Sequence, residues 1–213
     1  MAKTGGTWTV PPEWEKQCCF IIGGGPSVLS QDLEMLRGRR VIVINSSVYA
    51  VPWADILYFG DFRWWNEPEN RSAVESFHGR VVTTSRLVSN SKVLVCRKAN
   101  PPGLAIARDS LMQKWTSLTA ATNLAAHLVG RGGTIVWLGA DGKVSGDRTH
   151  HHKPHRWPHK PGAYDKQLSD LRTIVPSLQA LGIAAFNASP GTAWPDLLPQ
   201  VDLEDVLRER RAA

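Results

Sequence analysis

The chain has 213 residues, long enough for one large domain with a substantial buried core, which argues against a chain dominated by disorder. Lysine and arginine exceed aspartate and glutamate by 25 to 19, and the resulting formal charge of +6 favours anionic partners such as nucleotides, nucleic acid or an acidic surface. Cys18 and Cys19 are adjacent in an apolar run, so the three cysteines cannot build a disulfide framework, and no stretch approaches the roughly 18 uninterrupted apolar residues of a membrane span. The first residues, MAKTGGTWTVPPEWEKQ, lack a signal-peptide core and a cleavage site. These features lead us to expect a soluble cytoplasmic protein with no membrane span.

In chain order, residues 1–17 read as an irregular extension. Seven short apolar runs then recur, each stopped by a polar or glycine cluster: CCFII (18–22), VIVIN (41–45), DILYFGD (55–61), RVVTTS (80–85), KVLVCR (92–97), TIVWLGAD (134–141) and IAAFNAS (183–189). Runs without polar alternation suit strands buried on both faces of a parallel sheet. Helical patterns lie between them at 30–38, 117–132 and 165–182. Ser30, Asp32 and Glu34 suit the start of the first and Gly38 its end, while Pro176 should kink or shorten the third. VDLEDVLRERRA, within 197–213, reads as a C-terminal surface helix. Alternating strands and helices define the expected fold: α/β, a single-domain Rossmann-like and mostly parallel sheet over 18–196, flanked by helices.

Ligands of open α/β sheets bind beyond the carboxyl ends of the strands. There this chain places Gly23, Gly24 and Gly25, then Asn45, Asp61, Gly139 with Asp141, and Asn187 with Ser189. Any one of these is more simply a polar loop residue; their recurrence at strand after strand points to a crevice. In GGGPS, glycine lets an anion approach the backbone, Pro26 sets the turn, Ser27 adds a hydroxyl, and a following helix would offer free amides. The turn matches neither GxGxxG nor a P-loop.

Residues 142–164 form an irregular loop carrying His150, His151, His152, His155 and His159 with Arg156 and Lys160. A cationic lid over the active site accounts for this composition better than a metal site, since cysteine ligands are absent and three successive histidines cannot all face one ion. One imidazole is then available for acid–base work, and the cations for charge on a leaving phosphate. His127 and His78 read as structural.

The blocks IIGGGPSVL, VIVINSSVYAVPWADILYFGD, WTSLTAATNLAAHLVGRGGTIVWLGAD and GIAAFNASPGT, with the histidine loop before the last, resemble the superfamily that joins bacterial sialyltransferases of the CMP-sugar type with motility-accessory-factor-like and MptE-like proteins. Compact members are similar to proteins of phage genomes. The resemblance spans about residues 18–196. It implies a transferase in which GGGPS holds the nucleotide phosphates, Asn45 meets the nucleotide, and Thr116 and Ser117 stand before the central helix, with Leu118 where the family has glycine. It further implies that Gly139 and Asp141 lie by the base and ribose, that Asn187 and Ser189 join the site, and that His159, or next His155, is the general base. Gly24 replaces a family asparagine.

On this resemblance the first expectation is a glycosyltransferase using a nucleotide-sugar as donor substrate, with no cofactor firmly implied and no metal ligands singled out. An MptE-like diphosphotransferase is the alternative; it would use ATP and Mg2+ held near Asp61 and Asp141. A third reading, from the charge and from Trp64 and Trp65 as stacking platforms, is a nucleic-acid-binding or nucleotide-sensing protein without turnover. Modified nucleic acid as the acceptor would join the first and third. Nothing in the chain identifies the acceptor.

Overall fold

A computed structural model describes residues 6–153 and 161–209. Strands β1 (Cys18–Ile22), β2 (Arg40–Ile44), β3 (Ile56–Phe59), β4 (Arg80–Thr83) and β5 (Val93–Val95) come first. The short β6 (Arg97–Ala99) and β7 (Ser110–Met112) follow, then β8 (Thr134–Leu138) and β9 (Ala184–Asn187). Seven of them form one sheet in the order β5-β4-β3-β2-β1-β8-β9, with every pairing parallel. This is a Rossmann-like α/β domain. The chain winds outward from β1 to β5, then returns to lay β8 against the other side of β1, so the strand order reverses between β1 and β8.

Alternate residues of each strand feed opposite faces. Cys19, Ile21, Ile42, Ile44, Ile135 and Trp137 pack with α3 (Ser117–Val129) and α4 (Ala163–Ala180). Phe20, Ile22, Val41, Val43, Val136 and Leu138 pack on the other face with α1 (Phe62–Asn66), α2 (Pro68–Ser76) and α5 (Leu203–Glu209). Both sets are buried, which is why the strands read as continuous apolar runs.

Several expectations need correction. The helix expected over 30–38 is two 3₁₀ turns, Pro26–Ser30 and Leu33–Leu36, because Pro26 at the start and the Asp32 side chain, which accepts from the Glu34 amide, impose two short local turns. α4 is not shortened at Pro176 and runs on to Ala180; the apolar face made by Leu171, Ile174 and Leu178 is buried on both sides of the proline and holds the helix in place. The β6–β7 pair forms a second small sheet that no sequence pattern announced. Among the described residues no helix is long and apolar enough to cross a membrane.

Candidate anion-binding cleft

A cleft of about 1020 Å³ opens over the carboxyl ends of the strands, at the reversal between β1 and β8. Of the residues singled out in the sequence, Gly23, Gly24, Gly25, Asn45, Asp61, Thr116, Ser117, Gly139 and Asp141 line it. Pro26, Ser27, Asn187 and Ser189 do not, and His155 and His159 lie outside the described residues.

The three glycines are crowded by the protein itself. Gly23 donates its amide to Leu138 O at 2.8 Å and Gly25 donates to Gly139 O at 2.9 Å. A Cβ on Gly25 would stand 2.5 Å from the Asp141 carboxyl carbon and 2.6 Å from Gly139 O. Asp141, buried, accepts from the Ser27 amide at 2.8 Å and the Ser27 hydroxyl at 2.5 Å. A carboxylate therefore already occupies the start of the 3₁₀ turn, where the sequence suggested a phosphate. Asn187 and Ser189 serve the same junction: the Ser189 hydroxyl accepts from the Ala140 amide at 2.8 Å, and Asn187 Oδ1 accepts from the Ser189 amide at 3.0 Å.

The histidine segment rests on Gly24. The His151 amide donates to Gly24 O at 2.9 Å, and a Cβ on Gly24 would stand 2.8 Å from the His150 ring. Ser47 Oγ donates to Gly23 O at 2.9 Å, so the 2.9 Å contact between Ser47 Oγ and His151 Nε2 is made by the imidazole N–H. Burial, reinforced by neighbouring His152, pushes the His151 pKa down to about 4. His150 and His152 stack with ring centroids 4.8 Å apart, and both line the cleft.

The cleft lining also carries residues that local patterns did not reveal. Lys98, Lys114, Lys143 and Lys166 line the cleft, and none of these four makes an ion pair among the described residues. Trp115 is 48% exposed, with Lys166 Nζ 4.8 Å and Lys114 Nζ 5.8 Å from its ring centroid. The N-termini of α3 and α4 open here through Thr116, Ser117 and Ala163, and helix N-termini favour negative charge. The cleft's two carboxylates are engaged, Asp141 with Ser27 and Asp61 with Arg63 at 2.7 Å. Asn45 has φ +51°, and its Oδ1 is buried without a hydrogen bond. Among the described residues no cluster of three or more His, Cys, Asp or Glu side chains is arranged to hold a metal ion.

Trp64 and Trp65 are not stacking platforms for bases. They are 3% and 8% exposed, pack on Phe59 with centroids 5.1 and 5.7 Å away, and Trp64 Nε1 donates to Ser46 Oγ at 2.9 Å. Apolar burial, worth a few kcal/mol for a large side chain, outweighs any gain from displaying them. His127 is structural as expected: it is buried in α3, and its Nε2 lies 3.2 Å from Ser110 O.

These features define the class: a Rossmann-like α/β domain with a cationic cleft at its topological switch point. No protein-family profile and no curated protein sequence matches the chain. Among solved structures, a dehydrogenase/reductase from Sinorhizobium meliloti 1021 aligns with 94% of this chain and 82% of its own at 17% identity, with a TM-score of 0.30. That degree of likeness carries no argument about function.

Proposed function

We propose that the protein is a transferase that binds a nucleotide-activated donor, in the manner of a nucleotide-sugar glycosyltransferase, in the cleft at the carboxyl ends of β1 and β8. The observation that carries this reading is the convergence of four lysines, two helix N-termini and an exposed indole on one cleft. In this assignment the phosphates lie toward Lys114, Lys166 and the starts of α3 and α4, because the amides of Gly23 and Gly25 and the Ser27 turn are engaged within the protein. Charge developing on the departing phosphate is stabilised by fixed cations and helix dipoles. An acceptor hydroxyl attacks the activated carbon, the bond to phosphate breaks, and an imidazole of the histidine segment takes the acceptor's proton. His150 and His152 line the cleft, while His155 and His159 follow in the same segment. Magnesium-dependent diphosphotransfer is less well served, since Asp61 and Asp141 are each tied to a protein partner.

The test is a thermal-shift panel of CMP, UMP, UDP, GDP and ATP with and without magnesium, since a ligand that binds only the folded state raises its melting temperature. A shift without magnesium, lost in the Lys114→Ala Lys166→Ala double variant, supports the reading. A shift that needs ATP and magnesium together moves the assignment to diphosphotransfer. The absence of a shift with every nucleotide overturns both.

A further inference from the structure

Gln113 follows β7, and its side chain is buried beneath the cleft floor, which it helps to line. Its Oε1 accepts from two buried hydroxyls, Tyr58 Oη at 2.8 Å and Thr84 Oγ1 at 2.5 Å. Tyr58 is fully buried at the centre of β3, and burial holds its phenol protonated far above neutral pH. In the structure the carboxamide turns its oxygen to both hydroxyls, which leaves its NH₂ on the other side. The Nε2 end lies against Gly60, where a Cβ would overlap it, so a backbone without a side chain has been set under the amide. Nε2 makes no hydrogen bond among the described residues, and Gln113 lines the cleft. Polar networks of this kind, satisfied on one side, hold the free side in one orientation.

We infer that Gln113 is a specificity-determining donor that reads a carbonyl oxygen on the uncharged part of the bound ligand, selecting a keto-bearing nucleobase over an amino-bearing one. This rests on the nucleotide reading above. The lysines and helix ends serve the charged end of such a ligand, and a rigid neutral donor suits its neutral end. Because Oε1 is consumed by Tyr58 and Thr84, the side chain has no acceptor to offer an exocyclic amine. An amino group placed there would set donor against donor and lose a hydrogen bond in a desolvated position.

The experiment is calorimetric titration of the wild-type chain with two matched pairs, UDP against CDP and IDP against ADP, each pair exchanging an exocyclic oxygen for an amine. Binding of the keto member roughly tenfold or more tightly in at least one pair is the expected result. Gln113→Glu, which presents an acceptor in the same shape, should cancel or reverse that preference. Tyr58→Phe, which removes one of the two restraints, should weaken the preference without reversing it. Nucleotide binding with no keto preference in the wild type, or the same preference in Gln113→Glu, overturns the inference and leaves the nucleotide reading standing. Failure of all four nucleotides to bind overturns both.

Discussion

Asp141 and Ser27, 114 residues apart in the chain, are joined by two hydrogen bonds to one buried carboxylate, from the Ser27 amide at 2.8 Å and its hydroxyl at 2.5 Å. The pair fastens the turn after β1 to the turn after β8 across the point where the strand order reverses. Asp141→Ala leaves both Ser27 donors without their acceptor, and hydrogen bonds to a charged group contribute about 1.5–3 kcal/mol each. We expect a loss of roughly 2–4 kcal/mol in urea denaturation, allowing for partial rescue of the donors by water. A change under about 0.5 kcal/mol would show that the junction is held by other contacts.

Gly24 and Gly25 should respond differently to alanine. At Gly25 the new methyl meets the Asp141 carboxyl group and the backbone oxygen of Gly139, neither of which can yield without opening the junction. At Gly24 it meets the His150 ring, the end of a side chain that can swing away. Gly25→Ala is expected to cost about 1–3 kcal/mol, the usual range for overpacking. Gly24→Ala should cost less and instead alter the rate of proteolysis within residues 142–153; equal stability losses in the two variants would contradict the assigned contacts.

His151 makes the hold of its segment pH-dependent. Its folded pKa of about 4 lies below the ordinary value of roughly 6.5, so between those values the unfolded chain binds a proton that the native chain does not. Its contribution is therefore fully present above about pH 6.5 and is lost as pH falls toward 4. The size is roughly 1–3 kcal/mol, discounted for the partial exposure of the ring. His152 and His127 are also shifted down by burial and act with the same sign. Urea melts at pH 7.5 and 4.5 should show a smaller pH difference for His151→Phe than for the wild type, and an unchanged difference would remove His151 from the account.

Trp115 and Lys166 face the cleft together. Lys166→Ala should weaken pyrophosphate binding by roughly tenfold and flatten its dependence on salt, as expected for a lost charged contact. Trp115→Phe should leave stability nearly unchanged, since the indole is half exposed, but should reduce a ligand-induced change in tryptophan fluorescence. An undiminished fluorescence change in Trp115→Phe would place the ligand away from Trp115, since Trp64 and Trp194 also line the cleft.

Trp64→Ala, by contrast, should destabilise the fold by about 3–5 kcal/mol, the cost of emptying a large buried aromatic site. DNA binding measured by fluorescence anisotropy would not depend on Trp64 except through unfolding. A folded Trp64→Ala variant with selectively lost DNA affinity would restore the stacking reading.

Much of this fold was legible in the chain because the information is local. The seven apolar runs became the seven strands of the main sheet, and the apolar stretch at 117–132 became α3, since a segment buried on both sides must be apolar along its whole length. The polar strand ends were equally visible, and seven of the positions chosen there line the cleft: Gly23, Gly24, Gly25, Asn45, Asp61, Gly139 and Asp141; Thr116 and Ser117, named through the family resemblance, line it as well. The sequence by itself thus determined the layered α/β architecture and the edge of the sheet that carries the cleft.

What each residue does at that edge was decided by tertiary structure. That Gly25 is crowded by Asp141, that Asn187 and Ser189 brace a turn, and that Trp64 is core while Trp115 is displayed all depend on which segments meet across long separations in the chain. Lys98, Lys114, Lys143 and Lys166 belong to four different segments, and their charge is gathered into one field only when the sheet brings those segments to the same opening. A lysine on a loop carries no local mark of the cleft it will face. Periodicity records whether a side chain is buried, and only the folded chain supplies its neighbours.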